Sequence, residues 1–143
     1  MINDIIYDGY PLPELKFDFL DKGGLYLSGV IFLIIKDKID DELYKVSKPE
    51  RYIGNEWNAI EKNWDEEMIK VAFSFPDIYE VGMSHLGLKI LYHILNQEKD
   101  ILCERTFAPW PDMEELLRKL DYPLYSLESG HEIRDFDIFA FTL

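Results

Sequence analysis

From Ile69 onward the apolar positions alternate between extended and helical periods; before it they keep no single period. Ile69–Phe75 (IKVAFSF) is rich in β-branched and aromatic residues, ends at Pro76, and predicts a strand. Its apolar residues fall on both faces, which suits a buried central strand. Ser84 is placed to cap a helix running to about Asn96, in which Leu88, Leu91, Ile94 and Leu95 form one amphipathic stripe. Gly87 shares that stripe, where a missing side chain would let helix and sheet approach closely. Ile101–Phe107 predicts a second strand. Pro111 suits a first helical turn, Asp112, Glu114 and Glu115 suit its positive end, and Met113, Leu116, Leu117 and Leu120 repeat at helical spacing. Tyr122–Leu127 reads as a short extended piece, and Asp137–Leu143 (DIFAFTL) as a third strand.

The order strand–helix–strand–helix–strand, with crossovers long enough for parallel pairing, predicts an open α/β sheet. No cap, helix or polar tail follows Leu143, and open sheets of this kind usually continue, so the pattern reads as a truncated half-domain. Three zones result: 1–36 without clear period, a lead-in at 37–68, and the partial α/β domain at 69–143. In the first zone Tyr10-Pro11-Leu12-Pro13 and Lys22-Gly23-Gly24 are breakers, while Ile31–Ile35 suits either a strand or one buried helical turn. The lead-in predicts a short helix near Asp40–Val46, then irregular chain around Pro49, Gly54, Trp57 and Trp64.

Composition narrows the function classes. At 143 residues, 48% hydrophobic and 30% charged, the chain can bury a core. A formal charge of −13 repels phosphate backbones and argues against nucleic acid as a partner. The longest apolar run, Gly24–Ile35, is near a dozen residues where a membrane span needs roughly 20. Acidic residues precede that run, the reverse of a signal peptide, so no membrane partner and a cytoplasmic location are expected. The single cysteine, Cys103, makes no internal disulfide and supplies no zinc or iron–sulfur site alone.

Ligands of open α/β sheets sit beyond the carboxyl ends of the strands. Here those ends are the loop Pro76–Met83 (PDIYEVGM), the turn Ala108–Pro111, and whatever follows Leu143. The first loop feeds a helix N-terminus whose free N–H groups favour an anion, and Gly82 permits close backbone approach. Neither glycine-rich phosphate fingerprint is present, and on chemistry alone a plain strand-to-helix connection is the favoured reading of the loop. His85 could ligate or shuttle protons, or be simply a polar residue near a helix end. His93 suits packing or solvent, His131 a turn, and Cys103 an inert buried thiol. The acidic runs Asp65-Glu66-Glu67 and Glu114-Glu115 suit solvation and helix-end stabilisation better than acid–base pairing, and no Ser/His/Asp order stands out.

Four strings carry a specific resemblance: KPERYIGNEWN (Lys48–Asn58), FPDIYEVGMSHLGLKILYHILN (Phe75–Asn96), ERTFAPWPDME (Glu104–Glu114), and YPLYSLES with RDFDIFAFTL (Tyr122–Ser129, Arg134–Leu143). From about Asp40 to Leu143 the chain resembles the N-terminal region of bacterial radical SAM proteins that carry a cobalamin-binding-like domain before the catalytic barrel. The resemblance implies an incomplete flavodoxin-like, Rossmann-type sheet, with strand order 2-1-3 and all strands parallel. It also implies S-adenosylmethionine and a [4Fe–4S] cluster held by a C-x-x-x-C-x-x-C motif in the missing barrel, for which Cys103 cannot substitute. Cobalamin would belong to the full-length protein. Its D-x-H-x-x-G motif is not met here, since Met83 stands two before His85 and Gly87 two after it. If a corrinoid binds, the contacts implied are Pro76, Asp77, Gly82, Ser84, His85 and Gly87, with His85 as cobalt ligand the less favoured role.

The expectation is therefore an N-terminal fragment of such a protein, non-catalytic by itself, binding no cofactor alone and partnered by the missing barrel. Self-association through an exposed Asp137–Leu143 edge is a second route to a partner. The alternatives are a free-standing α/β binding or interaction module, and a small complete flavodoxin-like enzyme. The zone before Asp40 lies outside the resemblance. Lys22-Gly23-Gly24 could be encoded by the ribosome-binding-like AAAGGAGGT, which would place initiation downstream; a divergent N-terminal extension is the competing reading.

Overall fold

The β-branched and aromatic runs form the strands and the amphipathic runs form the crossovers between them. The computed structural model describes residue 39 and residues 41–142. In chain order, its elements are β1 (Ile69–Phe75), α1 (Tyr79–Ser84), α2 (Leu86–Gln97), β2 (Ile101–Phe107), α3 (Pro111–Leu120) and β3 (Ile138–Phe141). Short 3-10 turns occur at Leu43–Lys45, Pro49–Arg51 and Ile133–Asp135. The sheet runs β2-β1-β3 and is parallel throughout, with Val71 opposite Cys103 on one side and Ile138 on the other. The flavodoxin-like order expected from the sequence is thus the order observed. The zone expected at 1–36 falls outside the described residues, and within the expected Asp40–Val46 helix the described residues form a 3-10 turn at Leu43–Lys45.

Alternation along the strands gives the sheet two unlike faces. Val71, Phe73, Cys103 and Phe107 share one face with Leu88 and Tyr92 of α2, and Ala140 packs at its border. Opposite them, Ala72 pairs with Glu104 and Phe139, and Ser74 with Thr106 and Phe141. A second cluster joins Met113, Leu116 and Leu117 of α3 to Tyr122 and to Ile39, Leu43 and Val46 of the lead-in. The lead-in is therefore part of the folded unit.

Two local expectations are corrected. The predicted helix is broken at His85, and His85 rather than Ser84 caps its longer half: Nδ1 accepts from the Leu88 amide at 3.1 Å. Ser84 Oγ donates to the Val81 carbonyl instead. α2 is also rotated about its axis. Leu88, Tyr92 and Asn96 face inward while Leu91 and Ile94 are exposed. The inward polar residues win because each finds partners: Tyr92 Oη accepts from the Ile60 amide at 2.8 Å, and the Asn96 amide bonds the backbone of Cys103.

Candidate functional site

The loop after β1 is built as a short connection tied to its neighbour. Asp77 takes a backbone bond to Phe75, its Oδ1 accepts from the Ile78 amide, and its carbonyl accepts from Ala108 at 3.0 Å, joining the loops after β1 and β2. Pro76, Asp77 and Ser84 are exposed, His85 and Gly87 half-buried, and Gly82 buried. The structure thus gathers the six predicted residues on one side of the sheet's carboxyl end, but not as a cradle of open backbone. A Cβ on Gly82 would lie 2.2 Å from the Phe107 ring and 3.2 Å from Phe75 Cβ, so this glycine lets α1 close on the strands. A Cβ on Gly87 would lie 2.9 Å from His85 Cε1: the space is filled by the imidazole, not by close approach to the sheet. That imidazole also rests against the Phe75 ring, centroids 4.9 Å apart.

Behind the loop lies a buried ionic network that one-dimensional patterns do not show. Arg105 Nε donates to Glu128 at 2.6 Å, its second guanidinium nitrogen to Glu56 at 2.9 Å, and its backbone amide to Glu128 at 2.7 Å. The guanidinium carbon sits 4.6 Å from the Tyr92 ring centre. Burial opposes the Arg105 charge, but the two carboxylates hold its pKa above the ordinary value. Burial pushes the Glu128 carboxyl up against the pull of Arg105. Tyr79 donates to Glu56 at 3.0 Å, and burial with that carboxylate raises its phenol to about 12. The Cys103 thiol, fully buried, is likewise pushed up to about 12, which suits the inert role read from its strand position.

The lead-in clamps the same end of the sheet. Arg51 donates twice to Glu80 of α1, at 2.7 and 3.0 Å, and Lys48 once, at 3.1 Å. Arg51 also lies over the Trp110 ring, and Tyr52 Oη accepts from the Trp110 amide at 3.1 Å. Ser47 gives its amide and hydroxyl to Asp112 at the start of α3. The Arg51 bond, then the local backbone and Lys48, hold the Glu80 carboxyl down to about 2. Sequence reasoning missed these pairs because partners 29 to 65 residues apart leave no local signature.

The other candidates resolve to structural roles. Buried Glu104 accepts from the hydroxyls of Ser126 and Ser129, each at 2.5 Å, and Ser129 Oγ lies 2.7 Å from His131 Nδ1. His131 stacks on Trp64 with ring centres 3.8 Å apart, so this chain of contacts pins the turn around Gly130. His93 is exposed and meets Gln97. Among the described residues no group of three or more His, Cys, Asp or Glu side chains is arranged to hold a metal ion. No helix among them is long and apolar enough to cross a membrane.

Comparison with known families finds a match to the later part of the chain. Residues 87–143 match the family of radical SAM proteins, N-terminal. The radical SAM N-terminal match begins inside α2 and takes in β2, α3 and β3, so two of the three strands and the edges they form lie within it. It leaves out the lead-in and, of the six loop residues, includes only Gly87. No curated protein and no solved structure matches the chain.

Proposed function

We propose that this chain serves a radical SAM protein as its N-terminal α/β portion, offering the crevice between the carboxyl ends of β1 and β3 while another part of the parent carries the radical chemistry. The observation that carries this reading is the coincidence of the radical SAM N-terminal match at residues 87–143 with a parallel β2-β1-β3 sheet. That order puts the topological switch point, where such sheets take ligands, at β1 and β3, beside the Pro76–Gly87 loop.

The residues present fit neither cofactor of the wider family on this chain alone. A [4Fe–4S] cluster usually takes three or four thiolates, and the one cysteine is buried within β2. Cobalt ligation through His85 Nδ1 would cost α2 its cap. Of the described residues around the crevice, the Pro76–Gly87 loop supplies one wall, whereas a pocket normally buries roughly 70–90% of a drug-sized ligand. Gly82 and Gly87, filled by Phe107 and His85, add no cradle.

An interaction module is the second reading. It is favoured by the outer face of α2, where Leu86, Ile90, Leu91 and Ile94 are 46–69% exposed. The first reading is tested by titrating the purified chain with hydroxocobalamin, following its visible spectrum and its retention on a desalting column. No retained cobalamin is expected. Stoichiometric, retained binding weakened by His85→Ala would overturn the cofactor assignment.

A further inference from the structure

The outward side of α2 is apolar and free of carboxylates on an otherwise acidic chain. Leu86, Ile90 and Ile94 are exposed at four-residue steps, which makes them one ridge about 12 Å long. Exposed Leu91 belongs to the next ridge, which begins at Gly87. The inward side is already taken, since Leu88, Tyr92 and Asn96 meet the sheet and the lead-in. From Val81 to Gln97 no Asp or Glu occurs and Lys89 is the one Lys or Arg, although acidic residues make up 28 of the chain's 143. An apolar centre depleted of charge is the compositional mark of a contact surface.

The charge pattern selects the occupant. A basic partner would find no carboxylate on α2, and an anionic lipid surface would repel a chain of net charge −13. A second copy presents the same carboxylate-free face. Two copies therefore meet there without setting acid against acid, and their repulsion is left to the remaining surface, where salt screens it. We propose that this chain self-associates through α2, as a two-fold pair of antiparallel helices crossing at Ile90. Two-fold symmetry sets Ile90 against Ile90, and Leu86 against Ile94, because 86 and 94 lie equally far from 90. Ridges of four-residue step interdigitate at an inclination of about 50°, with axes ~8–10 Å apart. Gly87, without a side chain, leaves room beside Leu86 for Ile94 of the other copy. A contact one helix wide is well below the ~800 Å² per partner of a standard interface, so the pair is a weak one. Self-association of this kind rests on the interaction reading of the α2 face and is independent of the cofactor assignment.

The test is sedimentation equilibrium of the full chain from about 5 to about 500 μM, in ~50 mM and ~500 mM NaCl. A monomer–dimer equilibrium that tightens with salt is the expected result. Ile90→Asp and Ile90→Lys should each weaken it at least tenfold, with unfolding midpoints near that of the natural chain because the position is exposed. Mixed in equal amounts, the two variants should associate again, since a two-fold through position 90 sets Asp against Lys. A chain that stays monomeric at the highest concentration in both salts would overturn the proposal; if it also retains no cobalamin, the first reading still stands. Variants that remain apart on mixing would overturn it as well. So would a dimer indifferent to the Ile90 variants but lost with Phe139→Asp, which would give the contact to the β3 edge. A monomer that floats with phosphatidylcholine vesicles, and no longer does so as Ile90→Asp, would give the face to lipid instead.

Discussion

Asn96 of α2 closes both backbone groups of Cys103: its Nδ2 donates to the carbonyl at 2.8 Å and its Oδ1 accepts from the amide at 3.1 Å. One residue pair further on, Arg105 gives its carbonyl to the Leu127 amide and its own amide to Glu128. The outer edge of β2 is thus satisfied without another strand, which removes it as a template for pairing with other chains. Asn96→Leu leaves two buried backbone groups unpaired and is expected to cost ~2–6 kcal/mol in denaturant unfolding, from a penalty of about 1–3 kcal/mol for each group. A loss below about 0.5 kcal/mol would show that water replaces the amide.

The Glu80 clamp gives a pH signature with a definite sign. Its carboxyl is held down to about 2 from an ordinary value of 4.5. A depressed carboxylate contributes stability that is present above the unfolded pKa and lost as pH falls through the folded one. The Arg51–Glu80 contact should therefore weaken between about pH 4.5 and pH 2, and Asp112, lowered chiefly by the Ser47 amide, should loosen in the same direction. Trp110 fluorescence, reporting on Arg51 over its ring, should titrate in that window, and Glu80→Gln should remove the greater part of the change. An unchanged titration in Glu80→Gln would rule out the clamp as its source.

Gly82 predicts a steric coupling. An added Cβ meets the Phe107 ring at 2.2 Å, so Gly82→Ala is expected to destabilise by ~1–3 kcal/mol, as overpacked cores do. Phe107→Leu shortens the obstructing ring. In that background Gly82→Ala should cost less than half as much, and additive losses would place the strain elsewhere.

The strands, their parallel pairing and the α3 stripe were legible in the sequence because they rest on local period and crossover length, whereas the order 2-1-3 came from the family resemblance. The facing of α2 was not: hydropathy assigned Leu91 and Ile94 inward, while Tyr92 and Asn96 took those places by hydrogen bonding to Ile60 and Cys103, partners only the fold brings near. The same holds at the candidate site. The Pro76–Gly87 loop was found where strand ends predict it, but what fills Gly82 and Gly87 depended on Phe107 from β2 and on a histidine turned back on its own helix. The lead-in appeared irregular because its order comes from ion pairs with distant residues, Arg51 with Glu80 and Glu56 with Arg105, rather than from a repeating face.

Arg105 tests whether the buried ionic network is structural. Its removal leaves Glu128, whose side chain is 2% exposed, without a counter-charge. Arg105→Met is expected to cost ~3–5 kcal/mol in unfolding free energy, the usual result of breaking one side of a buried pair. Glu128→Gln alongside it should restore part of that loss, because the uncompensated charge is gone. A double variant no more stable than Arg105→Met would assign the loss to packing against Tyr92 and Met83 instead.

His85 and Gly87 form a unit whose two halves can be separated. His85→Ala removes the acceptor for the Leu88 amide and should cost ~0.5–2 kcal/mol, while His85→Asn retains a capping oxygen and should lose little. Gly87→Ala has opposing effects. Alanine favours the helix by up to ~1 kcal/mol, but its Cβ would press on His85 Cε1 from 2.9 Å and turn the imidazole off its bond. In the natural background the two should nearly cancel. With Asn at position 85 the ring is absent, so Gly87→Ala should become stabilising. Thermal or denaturant unfolding of the four proteins gives the coupling directly, and equal effects of Gly87→Ala in both backgrounds would show that the glycine is not there to make room for the histidine.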